Sequence, residues 1–105
     1  MSTYISGSAG GGYAIVAGPT GTFAGYYVSC SLKNGSSKDI TVNKCTIYEN
    51  GSYIGAQTNY GTLKAGQSKY AEVSNRLYDI TSRSYKFVWE YSYNGKSYTF
   101  TVNYR

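Results

Sequence analysis

Apolar and polar residues alternate one for one along much of this chain, most cleanly at its end. The stretch YKFVWEYSYNGKSYTFTVNYR, residues 85–105, holds the only tryptophan, two of the three phenylalanines and five of the fourteen tyrosines. Asn94-Gly95 at its middle suits a type I′ turn, because both central residues of that turn need positive φ. A hairpin closed there sets Tyr91 against Tyr98, Trp89 against Phe100, Phe87 against Val102 and Tyr85 against Tyr104. All eight fall on one face, while Lys86, Val88, Glu90, Ser92, Ser97, Thr99, Thr101 and Asn103 fall on the other. Strict period two with one polar side is the mark of a half-buried strand pair. The aromatic side is therefore expected to be core. On that reading Trp89→Ala costs about 3–5 kcal/mol, a loss that a thermal or denaturant melt reads directly. Tyr93, beside the turn, is expected to reach solvent.

The rest of the chain follows the same rule in shorter pieces. YAIVA (13–17) reads as a strand ended by the turn signal GPTG (18–21). FAGYYVSCSLK (23–33) reads as a strand with Val28, Cys30 and Leu32 on its inner face. In ITVNKCTIYE (40–49) the apolar parity slips from Ile40 and Val42 to Cys45 and Ile47, which predicts a bulge near Asn43 and Lys44. Asn50-Gly51 is a second hairpin tip; counting outward pairs Tyr48 with Tyr53, Ile47 with Ile54 and Cys45 with Ala56. GTLKAGQS (61–68) reads as a crossing between sheets, anchored by Leu63 and turning at Ala65-Gly66. KYAEVS (69–74) is a further strand, and 75–84 is a loop with Leu77 and Ile80 as buried plugs. No segment sustains a helical period. About seven short strands with turn signals between them predict an all-β, two-sheet antiparallel sandwich. Residues 1–12, with GSAGGG at 7–12, are too poor in apolar surface to order alone, and are expected to form a flexible Gly/Ser-rich arm before a domain at 13–105.

Composition agrees with this reading and narrows the chemistry. Charged residues make up 14% of the chain, against about 25% in a typical domain. Polarity comes instead from Ser, Thr, Asn, Gly and tyrosine hydroxyls, a mixture suited to strands and turns. The net charge is +5, but the ten basic residues are scattered singly, as a solvated surface is. That scatter disfavours nucleic acid as a partner. No apolar run reaches the ~18 residues of a membrane span, and the amino terminus MSTYISGSAGGG lacks the basic start and apolar stretch of a secretory signal. A virion or cell surface is the expected location, since a virion protein is made without such a signal.

From residue 23 to residue 74 the chain resembles a bacterial immunoglobulin-like module of the small FxLYD type. The shared features are a strand, an Asn-rich turn, the hairpin Ile47-Tyr48-Glu49-Asn50-Gly51, and a crossover with Gly61, Leu63, Gly66 and Ser68. The resemblance implies an immunoglobulin-like fold. It also implies the role such modules usually have, as binding or spacer domains on surface proteins and on tailed-phage virions.

With no histidine, the usual Ser-His and Cys-His nucleophiles and most zinc sites are excluded. The carboxylates Asp39, Glu49, Glu72, Asp79 and Glu90 show no calcium-loop spacing and no facing pair. No catalytic residue, cofactor or metal site is expected, and the chain is read as no enzyme. Cys30 and Cys45 fall on inner faces of successive strands, so two readings stay open: a disulfide worth roughly 3 kcal/mol, or two buried thiols, which the lack of an export signal favours. Fourteen tyrosines exceed what one small core needs. Tyr26, Tyr27, Tyr48, Tyr53, Tyr60 and Tyr93, with Tyr78, are the candidate contact surface, since tyrosine makes large rigid contacts at low entropy cost. The expected function is a structural or adhesion module, accessory to a larger assembly such as a phage virion, with a protein partner or self-assembly. The alternative is a secreted bacterial accessory domain that binds carbohydrate or a protein through these tyrosines.

Overall fold

The computed structural model describes residues 4–18 and 21–105. Seven strands run through them: β1 (Ile5–Gly18), β2 (Gly21–Asn34), β3 (Ile40–Glu49), β4 (Ser52–Leu63), β5 (Ser68–Asn75), β6 (Tyr85–Tyr93) and β7 (Lys96–Tyr104). A 3-10 turn, Ile80–Ser82, precedes β6. The strands form two antiparallel sheets, β1-β2-β5 and β4-β3-β6-β7, stacked as a sandwich. Between them lie Val28, Cys30 and Leu32 from one sheet and Ile40, Val42, Cys45, Ile47, Phe87, Trp89 and Tyr91 from the other, all buried.

The last hairpin has the register its turn dictates: Tyr85 opposite Tyr104, Phe87 opposite Val102, Trp89 opposite Phe100, Tyr91 opposite Tyr98. Asn94 and Gly95 both have positive φ, 52° and 77°. The register shift between Val42 and Lys44 is the bulge that the parity slip requires. Leu63 is fully buried where the chain leaves one sheet for the other.

Three expectations fail. Residues 5–12 do not stand apart from the sandwich, because β1 runs unbroken across position 12 and pairs with β2 from Ile5–Asn34 onward. The glycines there serve close packing. A Cβ on Gly7 would come within 2.5 Å of the Ser31 carbonyl and 2.9 Å of Val102, and one on Gly11 within 2.9 Å of the Tyr104 hydroxyl. The second failure is in β4, where Ile47 faces Gly55 instead of Ile54, and Cys45 faces Gln57 instead of Ala56. One extra residue opposite the Ile47–Tyr48 step shifts the count, and Ile54 is left 45% exposed. Third, Leu77 is no plug: it is 88% exposed, and Ile80 alone of that pair enters the core. The turn expected at 18–21 lies outside the described residues apart from Gly18 and Gly21, which pair.

Candidate functional site

The 76–84 loop gathers one end of the molecule. It leaves β5 at Asn75, beside Tyr26 of β2, and reaches the β3–β4 hairpin tip. There the Asn50 amide donates to the Ser84 carbonyl at 2.8 Å, and the Ser84 amide to Asn50 Oδ1 at 3.0 Å. Within the loop the Leu77 amide donates to Asn75 Oδ1 and the Thr81 amide to Asp79 Oδ1, local turns that Asn and Asp favour. Tyr104 and Arg105 close it from β7, both donating to the Thr81 carbonyl, at 3.1 and 3.0 Å.

Two clusters of tyrosines and cations sit on this frame, Tyr48, Tyr53 and Lys86 in the first and Tyr78, Arg83, Glu49 and Tyr85 in the second. Tyr48 and Tyr53 meet edge to face across the hairpin, 6.1 Å between centroids. The Lys86 ammonium lies 4.6 Å from the Tyr48 ring, and the Arg83 guanidinium 4.4 Å from the Tyr78 ring. Glu49 is the hub of the second cluster: its Oε1 accepts from Arg83 Nη1 at 3.2 Å and its Oε2 from the Tyr85 hydroxyl at 2.6 Å. Burial and then the Glu49 bond push the Tyr85 phenol above its ordinary value, so it stays a donor. Tyr53 is 64% exposed and Tyr78 47%, so both reach solvent.

Where β5 stops and β2 continues lies an open groove of about 430 Å³. Tyr26, Tyr27, Glu72, Ser74, Asn75 and Arg76 line it. Tyr27 lies over Gly12, where a Cβ would stand 3.2 Å from its hydroxyl. Tyr13 braces Tyr26 edge to face at 4.9 Å.

The structure divides the tyrosines singled out in the sequence. Tyr48 and Tyr53 pair across the hairpin, Tyr78 stands with Arg83, and Tyr26 and Tyr27 share the groove. Tyr26 is also partly buried against the core, and so are Tyr60 and Tyr93. Tyr60 packs at a tilt against Trp89, 5.2 Å between centroids, and burial, with Cys45 and Cys30 nearby, pushes its phenol up to about 12. Tyr4, Tyr13 and Tyr70, not singled out, are each more than half exposed. Neither Lys86 nor Arg83 was singled out in the sequence as a neighbour of these rings. Lys86 reaches Tyr48 only because β6 pairs with β3, setting Tyr48 opposite Lys86, a long-range pairing that no local pattern encodes.

Cys30 and Cys45 face each other from opposite sheets as buried free thiols. Trp89 Nε1 donates to Cys30 Sγ at 3.3 Å. Burial raises both thiols, Cys45 to about 12, which holds them protonated and unreactive. Among the described residues no three His, Cys, Asp or Glu side chains gather as a metal site would need. Among the same residues no helix is long and apolar enough to cross a membrane.

The fold and its surface define an all-β sandwich with two tyrosine-and-cation clusters and an open groove. No family model matches the chain, and comparison with curated proteins finds none that matches it.

Proposed function

We propose that the chain is a non-catalytic, immunoglobulin-like structural or adhesion module, an accessory or decorating protein of a larger assembly such as a phage virion. The carrying observation is the hairpin patch of half-buried Tyr48, exposed Tyr53 and Lys86 over the Tyr48 ring, with exposed Tyr78 under Arg83 as a separate cluster. Rigid aromatics and a stacked guanidinium are what protein contact surfaces are enriched in. The strand order supports the immunoglobulin-like reading: the second and fifth strands pair in one sheet, and the third, sixth and seventh are neighbours in the other. The test is co-sedimentation of the full chain with particles from its source. Tyr53→Ser with Lys86→Glu weakens it on this reading, and unchanged binding by that variant rules the patch out. Capsid and tail genes flanking its own gene support the virion setting.

The groove favours a second reading, a carbohydrate-binding accessory domain. Tyr27 offers a ring face, and Glu72, Ser74 and Asn75 offer polar groups at one rim. A glycan array on which the chain is silent counts against it, and retention lost in Tyr27→Ala supports it.

A further inference from the structure

The hairpin of β1 and β2 outruns the sheet it belongs to. Pairing of β2 with β5 stops at Tyr26–Asn75, yet β1 and β2 stay paired out to Gly18–Gly21. Residues 14–18 and 21–25 therefore form a two-stranded ribbon with no further strand beside it among the described residues. The molecule is correspondingly long, 43 Å on its longest axis, with a radius of gyration of 14.8 Å where a compact domain of this length has about 13 Å.

Other sheet edges are guarded. The free edge of β5 is met by side chains from β4: Gln57 Nε2 donates to the Glu72 carbonyl at 2.9 Å, the Glu72 amide donates to Gln57 Oε1 at 3.3 Å, and the Tyr60 hydroxyl donates to the Tyr70 carbonyl at 3.0 Å. The edge of β4 is broken by positive φ at Gly55, Asn59 and Gly61. The inner part of β1 is packed against β7 through Gly7 and Gly11. Beyond Gly11 none of these devices is present among the described residues, and the sequence supplies no charge either. The first Lys, Arg, Asp or Glu of the chain is Lys33, although the whole carries +5. On the same face of the ribbon Tyr13 is 56% and Ile15 71% exposed.

We infer that this ribbon is a self-association element: residues 12–18 of β1 pair antiparallel with residues 12–18 of a second copy, with the two-fold axis at Ile15. The inference deepens the assembly reading above by naming the partner. Charge selects a second copy over an acidic or basic protein. An uncharged edge holds nothing for a charged strand to recognise, and it lets two +5 chains approach where neither repels the other. A two-fold contact is self-complementary, and an antiparallel β-edge meets that condition with any sequence. Pairing there satisfies the open backbone groups and covers both copies of Ile15.

Sedimentation of the full chain over a range of concentrations tests this, with hydrogen exchange as a second readout. A dimer is expected, with amides of residues 12–18 gaining protection as concentration rises. Ile15→Lys puts two like charges at the axis and raises the dissociation constant about tenfold or more. Leu77→Lys, equally exposed but off the ribbon, leaves association unchanged. A monomer at every concentration overturns the inference. So does a dimer that Ile15→Lys leaves equally tight, or one whose new protection falls on another strand. A monomer that still binds particles removes the pairing and keeps the accessory role, and a dimer that binds none does the reverse.

Discussion

Asn34 shows how much one side chain holds. It is fully buried at the end of β2. Its Nδ2 donates to the Lys38 and Leu63 carbonyls at 2.7 and 3.0 Å, and its Oδ1 accepts from the Ser36 amide and hydroxyl at 3.1 and 2.6 Å. Its backbone binds the 64–67 turn through Gln67 and Gly66. One residue thus ties the β2–β3 link to the crossover between sheets. Asn34→Ala strands a buried carbonyl, and urea unfolding is expected to show a loss of about 1–3 kcal/mol. In the sequence this asparagine reads as ordinary turn chemistry, because its partners lie up to 33 positions away at Gln67. The glycines of β1 separate in the same way. Gly7 has no room for a methyl group, whereas a Cβ on Gly10 meets nothing within 4 Å. Gly7→Ala is expected to destabilise by about 1–3 kcal/mol. Gly10→Ala is expected to be neutral or to stabilise by about 0.4–1 kcal/mol through the unfolded chain. Equal melting temperatures for the two variants contradict this assignment.

Among the elements, local turn chemistry sets register where it acts alone. Asn94-Gly95 fixes all of β6 against β7, and the aromatic face follows from it. Asn50-Gly51 fixes only the first pairs of its hairpin, since the extra residue opposite Ile47–Tyr48 resets the count from there on. That shift has a use. It leaves Gln57 opposite Cys45, from where its amide reaches β5 and satisfies both the N–H and the C=O of Glu72. A side chain stands in for a missing strand. Gln57→Ala returns those two groups to water, with an expected cost of about 0.5–1.5 kcal/mol. The sharper readout is the Glu72 amide, which should exchange faster in the variant, while unchanged exchange means that the amide pairing contributes nothing. Tyr60 shares this role through its hydroxyl, which is why a residue that reads as a contact tyrosine is partly buried.

For the whole molecule, stability depends on pH mainly on the alkaline side, through groups buried between the sheets. Cys45 rises from 9.0 to about 12, chiefly by burial and then by the neighbouring Cys30. Tyr60 rises from 10.0 to about 12, and Tyr85 and Tyr91 rise as well. The unfolded chain releases the thiol proton near pH 9.0, while the folded chain keeps it to about 12. The folded state thus binds more protons in that window, so the contribution is whole below pH 9.0 and is lost as pH rises towards 12. Urea midpoints should fall steadily across it, and Cys45→Ala should flatten the slope. An unchanged slope in that variant places the titration elsewhere. Fold class, most strands, the aromatic face of the last hairpin and the inward thiols were determined by the sequence alone, because period-two patterning and Asn-Gly turns act over neighbouring residues. Only the tertiary structure decided which strands became neighbours. That choice put Lys86 over Tyr48, closed the β5 edge with Gln57, drew the glycine-rich segment into β1 against β7, and left the ribbon beyond Tyr26 without a partner. Each of these joins residues far apart along the chain, and their contact is set by how the two sheets stack, which no local pattern carries.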